Sequence, residues 1–353
     1  MRRARERGCT VTPAIQPFTG ENKMQKWGSS FVASLGLVTV VGMLSGCAAG
    51  LKIPLKDPAP SSVAYAAPAT PAPAPLVLTF KDGLAEAGRT NLQLGSVLNP
   101  TLESKGAPFN AVPWVATHTT AELKARGVPT TLGDAGTLVT VKQVRIQNQR
   151  ANGYAPLVTF TSAKAEVVTP QGPRTITAYI KRAKVPVWSF DEVIEPAYND
   201  PLSLLTKELA AKLNQQLVGQ SITDAQVETL VAAIRKDGAT RADAYLDVYQ
   251  LGFGNNRSAV PELVKLTTHS SEYVRLAALS SLGILKATDQ YAFLVARYES
   301  RTGLWQDRAM ALKAVGDLGT PEALEYLRKE QETLRTSTEK ESRWNRDIIE
   351  LYL

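Results

Sequence analysis

The hydrophobic positions of this chain change period along its length, and each change marks a different kind of segment. Phe31 to Leu44 is an apolar run broken only by Ser34, Gly36, Thr39 and Gly42, about 14 residues against the roughly 20 needed to cross a bilayer. Residues 48–75 show no period and hold seven prolines among alanines. From Leu76 to about Val218 the period is mixed. Leu76–Phe80 predicts a short strand and Thr119–Arg126 a short helix. Thr137–Gln147, Pro156–Val168 and Arg174–Arg182 predict three further strands, bounded by turn residues such as Gly133-Asp134 and Asn152-Gly153. In the last, Ile176, Ala178 and Ile180 alternate with Thr175, Thr177, Tyr179 and Lys181, the pattern of a half-buried antiparallel strand. Asn199 or Asp200 then caps a helix with Pro201 in its first turn. Its stripe is Leu202, Leu205, Leu209, Leu213 and Leu217, and Gly219 ends it. An antiparallel sheet packed by one or two helices, an α+β domain over 76–218, is the expected result.

Beyond residue 218 the period is helical throughout, and it repeats. Arg241-Ala242-Asp243-Ala244-Tyr245, Arg275-Leu276-Ala277-Ala278-Leu279 and Arg308-Ala309-Met310-Ala311-Leu312 share one pattern. Each runs on to a glycine, Gly252, Gly283 or Gly316, expected to end a first helix. A second helix is expected at Ala259–Thr267, Asp289–Tyr298 and Pro321–Lys329. Thr223 with Gln226 three residues on predicts a capped opening helix, and Ser337–Tyr352 a closing one. The copy containing Tyr273 to Tyr298 is similar to a short HEAT repeat of the phycobilisome-lyase type. That resemblance implies an all-α solenoid over 219–353. A tetratricopeptide array has a similar period but a Trp, Leu-Gly, Tyr pattern that these segments lack. In such repeats arginines like Arg241, Arg275 and Arg308 bond to neighbouring repeats or to helix carbonyls. Tyr273, Tyr291, Tyr298, Trp305 and Tyr326 read mostly as core or inter-repeat filler, with one or two of Tyr291, Tyr298, Trp305 and Tyr326 as candidates to anchor a partner.

The apolar run gains meaning from what flanks it. Lys23 and Lys26 precede it and Leu44-Ser45-Gly46-Cys47 follows, which resembles a bacterial lipobox. The resemblance implies a signal peptide at 24–46, cleavage before Cys47, and diacylglycerol on that cysteine with palmitate-like chains. An uncleaved membrane helix is the alternative. Residues 1–23 lack periodicity and read as an upstream extension, with translation starting at Met24. Residues 47–75 then read as a lipidated cysteine and an Ala/Pro-rich tether, with a loop packed on the domain as the alternative. As polyproline II, at about 3.1 Å per residue, the tether reaches roughly 80 Å. In enteric bacteria an Asp after the cysteine favours inner-membrane retention. Ala48 therefore implies the periplasmic face of the outer membrane.

Charge and reactive side chains add mostly exclusions. The chain has 40 Lys and Arg against 33 Asp and Glu. Residues 1–46 carry six of the bases and two of the acids, so the remainder stands at 34 against 31. That is no footprint for nucleic acid. Cys9 and Cys47 are the two cysteines, and His118 and His269 the two histidines. No metal-ligand spacing, nucleophile motif or phosphate loop accompanies them, so no metal, cofactor or catalytic residue is expected. Asp191, Glu192 and Glu195 beside Trp188 and Phe190 read as a solvated loop, with a paired-carboxylate hydrolase as the alternative. Lys181-Arg182-Ala183-Lys184 reads as a solvated strand end, with lipid headgroups as a lesser possibility.

The lipobox, the Pro-rich stretch, a strand, a helix ending in "ELKARGV", long hairpin strands and "PLSLLTKELAAKLNQQL" together resemble the YajG-like envelope lipoproteins and related auxiliary lipoproteins of transport systems. The resemblance implies a non-catalytic, periplasm-facing protein that is not an enzyme. Two functions follow as expectations. One is a membrane-anchored adaptor that binds an envelope protein or peptide through its helical repeats. The other is an accessory subunit of a transport or secretion system, docking or handling lipid through the α+β domain.

Overall fold

The computed structural model describes residues 52–67, 75–90, 93–94, 100–150, 155–184, 189, 191–238 and 240–353. The extension, the signal and Leu44, Ser45, Gly46 and Cys47 lie outside the described residues, as do Trp188 and Phe190. In chain order the first elements are β1 (Lys52–Leu55), β2 (Leu76–Asp82), α1 (Glu86–Thr90), β3 (Gln93–Leu94), β4 (Thr101–Ser104), β5 (Ala107–Pro108), α2 (Ala111–Ala125) and β6 (Thr130–Leu132). They are followed by β7 (Thr137–Gln149), β8 (Leu157–Thr169), β9 (Gly172–Lys184), α3 (Asp191–Ile194), a π-helical turn over Glu195–Asn199 and α4 (Asp200–Leu217). The rest is helical: α5 (Asp224–Asp237), α6 (Ala244–Phe253), α7 (Val260–Leu266), α8 (Glu272–Ile284), α9 (Tyr291–Glu299), α10 (Trp305–Leu318), α11 (Pro321–Leu334) and α12 (Lys340–Ile349). The chain is thus a mixed α+β part followed by a helical part.

Two sheets form. The larger runs β6-β2-β7-β8-β9, with β3 alongside β7, and the smaller runs β1-β4-β5. The three long strands are an antiparallel meander, whereas β2 lies parallel to both β6 and β7. α2 is longer than the expected Thr119–Arg126. It starts after Asn110 and carries Pro113 in its first turn, where a missing N–H costs nothing. α4 ends as expected, with Gly219 in the left-handed region at φ 77° and its N–H on Asn214 O.

β9 departs from the expected half-buried strand. Ile176, Ala178 and Ile180 are buried on the side where α4 crosses β8 and β9, but Thr177, Tyr179 and Lys181 on the opposite face are buried as well. The helical part covers that second face. Phe160 and Tyr179 stack there, and Trp305 of α10 and Trp344 of α12 close over Phe160. The outer edge of β9 is covered too: Lys212 donates to Thr177 O and Tyr273 to Ala183 O. An edge occupied in this way is closed to another strand. One hydrophobic core consequently runs from Ile53 to Leu351 through both parts.

The helical part is built of pairs. α5 opens it with the expected capping box between Thr223 and Gln226. α6, α8, α10 and α12 pack side by side as an inner row, with α7, α9 and α11 outside. Ala244, Ala278 and Ala311 are fully buried in the inner row. Gly252 and Gly283 are the penultimate residues of α6 and α8, and Gly316 lies two residues before the end of α10. Close packing explains them. A Cβ at Gly252 would stand 2.7 Å from Ser281 Cβ, and one at Gly283 would stand 2.6 Å from Ala314 Cα. The left-handed stop of α10 is Gly319 instead.

The expected tether over 47–75 is in part a strap. Ile53, Leu55 and Tyr65 are buried. Ser61 N–H donates to Glu122, Tyr65 hydroxyl to Phe253 O, and Gln226 to Ala64 O. Arg126 is the node of this strap. It is fully buried, bonds Glu122 at 2.6 Å and Ser61 Oγ at 3.0 Å, and lies between the rings of Tyr65 and Phe253. An alanine- and proline-rich composition resembles a linker, but Ile53, Leu55 and Tyr65 supply enough apolar area to dock the segment.

Candidate functional site

The inner helices meet the sheet along a row of aromatic side chains, three from the first turns of α6, α8 and α10 and one from the middle of α12. Tyr245 on α6, Tyr273 on α8, Trp305 on α10 and Trp344 on α12 supply it. Cations stand over these rings: Lys181 and Arg182 from β9, and the exposed Lys340 from α12 itself. The Arg182 guanidinium lies 4.3 Å from the Tyr245 ring centre and 4.1 Å from that of Tyr273. Lys181 Nζ stands 5.2 Å from the Trp305 ring centre, and Lys340 Nζ 4.9 Å from that of Trp344. A buried cation over an aromatic face is worth about 2 kcal/mol or more when desolvated. Lys181 and Arg182 are therefore not a solvated strand end. Arg182 is held further by Asp200 at 2.8 Å, which also accepts from the Tyr245 hydroxyl.

A groove borders this row. It measures about 500 Å³ and lies where β8 and β9 meet α8, α10 and α12, lined by Tyr273, Trp305, Trp344, Lys181, Glu272 and Gln306 among others. Lys181 donates to Glu272 in its wall. Burial pushes the Lys181 ammonium below its ordinary value, and the Glu272 carboxylate acts against that shift. The groove thus offers apolar ring faces, one buried ion pair and side-chain amides. Those groups bind and orient; none is a nucleophile paired with a base.

A second cluster lies fully inside the seam. Glu208 and Lys212 of α4 meet Lys313 and Asp317 of α10 in a closed ring of alternating charge, with contacts of 2.5 to 2.7 Å. Lys313 also donates to Ser280, and Tyr352 to Asp317. Burial lowers the Lys313 affinity for its proton, but Asp317 and Glu208 outweigh it and the net shift is upward. Burial likewise favours protonated Asp317, but Lys212 and Lys313 prevail and its pKa is lowered. With its charges matched and buried, the ring joins α4 to α10.

The residues singled out in the sequence fall in different places. Arg275 bonds Asp307 of α10 and the carbonyls of His269 and Ser270. Arg308 does the equivalent with Glu341 in the first turn of α12, at 2.7 Å to both carboxylate oxygens, and with Ser300 O. Arg241 has no such forward partner and pairs locally with Asp243 and Asp247. Tyr298 is buried against Tyr326 and donates to Glu330, and Tyr326 donates to Glu299. Tyr291 is half-buried on α9. Of the four aromatics considered for a partner, Trp305 is the one in the groove. Asp191, Glu192 and Glu195 do not sit on a loop: they open a helical stretch, and Glu195 pairs with Lys56 at 2.9 Å. The aromatic row escaped the sequence because its offset from the repeat arginine varies. Glu208 with Lys212, and Lys313 with Asp317, are visible in the sequence as i,i+4 pairs of opposite charge.

No family model matches the chain, and no curated protein matches it. Among solved structures it is similar to a Xanthomonas campestris protein of the DUF330 family, at 12% identity and a TM-score of 0.32, over 46% of this chain and 93% of that one. It is also similar to an uncharacterized protein at 11% identity and a TM-score of 0.28, over 41% of this chain and 93% of that one. At these scores the likeness carries no argument about what the chain does.

Proposed function

We propose that this protein is a non-catalytic envelope lipoprotein, acylated at Cys47, that acts as an adaptor for an envelope protein. Its helical part is read as a short HEAT-like array and its α+β part as a YajG-like or transport-auxiliary-type body. The observation that supports this most directly is the groove at the seam. The inner face of the helix array, which would otherwise offer the binding surface of a solenoid, is filled by the protein's own sheet. An aromatic groove lies open around Trp305, with Tyr273 and Trp344 as apolar walls and Lys181 with Glu272 as a polar one. Aromatic anchors with a polar rim suit one side chain or a short peptide segment.

In-cell cross-linking followed by mass spectrometry tests this, using the intact protein, Trp305→Ala and Lys340→Glu. A partner captured by the intact protein and lost from both variants, with their thermal midpoints little changed, supports recruitment through the groove. Equal capture by all three sinks it. The second reading, an accessory subunit of a transport or secretion system, has its own supporting feature. An apolar groove of about 460 Å³ lies on the α+β part between Leu76, Val77, Val128, Leu217 and Val218. A transport subunit captured regardless of Trp305 but lost from Leu217→Glu would favour that reading.

A further inference from the structure

The strap fixes how far the body can stand from its anchor. The first described residue, Lys52, is already in β1, paired along its whole length with β4 from Lys52–Thr101 to Leu55–Ser104. Ile53 and Leu55 are buried beneath it. Only residues 48–51 separate this strand from Cys47. Five residue steps at roughly 3.4 Å each reach about 17 Å, however the segment runs. That is a fraction of the reach expected of a free tether.

We infer that the protein rests on the bilayer through its small sheet β1-β4-β5, with this sheet as the surface that meets the lipid headgroups. The inference rests on acylation at Cys47. The outward side of that sheet carries charged and polar groups beside Pro54, Ala107 and Pro108. Lys52, Pro54 and Lys56 are exposed on β1 and just after it, and Thr101 and Lys105 on and beside β4. The charges are matched within the surface: Lys52 with Glu103 at 2.6 Å, Lys56 with Glu195 at 2.9 Å, and Lys105 with Asp57 at 3.0 Å. A balanced surface is suited to zwitterionic headgroups and gains little from anionic lipid, unlike a polybasic patch. Attachment is therefore supplied by the acyl chains, and orientation by the short reach. α11, whose close packing is against α10 and α12, lies at the other end of the helix array.

The test uses the acylated full-length protein in vesicles of phosphatidylethanolamine with one-fifth phosphatidylglycerol. Thr101→Cys on β4 and Lys329→Cys on α11 are labelled in turn with a fluorophore. A quencher is carried on the lipid headgroups, and intact mass establishes the acyl chains on Cys47. The expected result is quenching several-fold stronger at residue 101 than at 329, unchanged by raised salt or by omitting phosphatidylglycerol. A long Gly/Ser insertion between Gly50 and Leu51 should abolish the difference while the protein stays vesicle-bound. Equal quenching at both positions in acylated protein overturns the inference and leaves the lipoprotein reading standing. A mass without acyl chains overturns both.

Discussion

Lys313 is the residue on which the two parts of the molecule depend most. It is fully buried and makes ion pairs of 2.6 Å with Glu208 and Asp317. Lys313→Met leaves two buried carboxylates facing one ammonium, and removing one partner of a buried pair costs about 3–5 kcal/mol. Urea denaturation should show that loss. Lys313→Met with Glu208→Gln should recover part of it, since one charge of each sign is then removed. The linkage has two sides. Asp317 has a lowered folded pKa, so its contribution is present above the unfolded carboxylate pKa and fades as pH falls through the folded value. Lys313 has a raised one, so its contribution is present below the unfolded lysine pKa and fades as pH rises through the folded value. His118 acts in the mildly acid range. Burial against Trp114 lowers its pKa, and the nearby Asp57 only partly offsets this. The unfolded chain then takes up the proton more readily, so stability should fall as the pH drops through the ordinary histidine value towards the lower folded one. His118→Gln should flatten that slope in thermal melts.

Among the elements, those whose partners are close in sequence were the legible ones. Leu202, Leu205, Leu209 and Leu213 announce α4, and the Thr223–Gln226 box announces α5, because each signal is contained within one helix. The meander β7-β8-β9 was legible for the same reason, its strands being joined by short turns. β9 was misread as half-buried because its second cover comes from α8 and α10, about a hundred residues on, and nothing in its own alternation reports that. The strap was misread because composition counts prolines and not where Tyr65 lands. In the site, Arg275 and Arg308 could be picked out by their spacing, whereas Lys181 with Trp305 could not, since neither residue type nor interval links them. Gly283 offers an element-scale check. Its missing side chain lets α8 approach the α10 backbone, so Gly283→Ala should cost about 1–3 kcal/mol by overpacking, read as a lowered denaturant midpoint with an unchanged slope.

For the molecule as a whole, the change of period near residue 218 is a boundary in pattern and not in packing. A chain ending at Val218 would expose Phe160 and Tyr179, strip Lys212 of Asp317, and leave Arg126 without Gln250 and Phe253. Such a chain should lack a cooperative calorimetric transition and aggregate. Dissecting function by deleting either part would confuse loss of a site with loss of the fold, whereas point changes in the groove would not. The strap also sets an order of events. Tyr65 closes on Phe253, 188 residues later in the chain, and contacts so distant form late and slowly. A chain that emerges amino terminus first cannot lock this segment until α6 has followed it. Residues 61–65 therefore stay unlatched until α6 is made, and Arg126 waits for Gln250 and Phe253 to complete its surroundings.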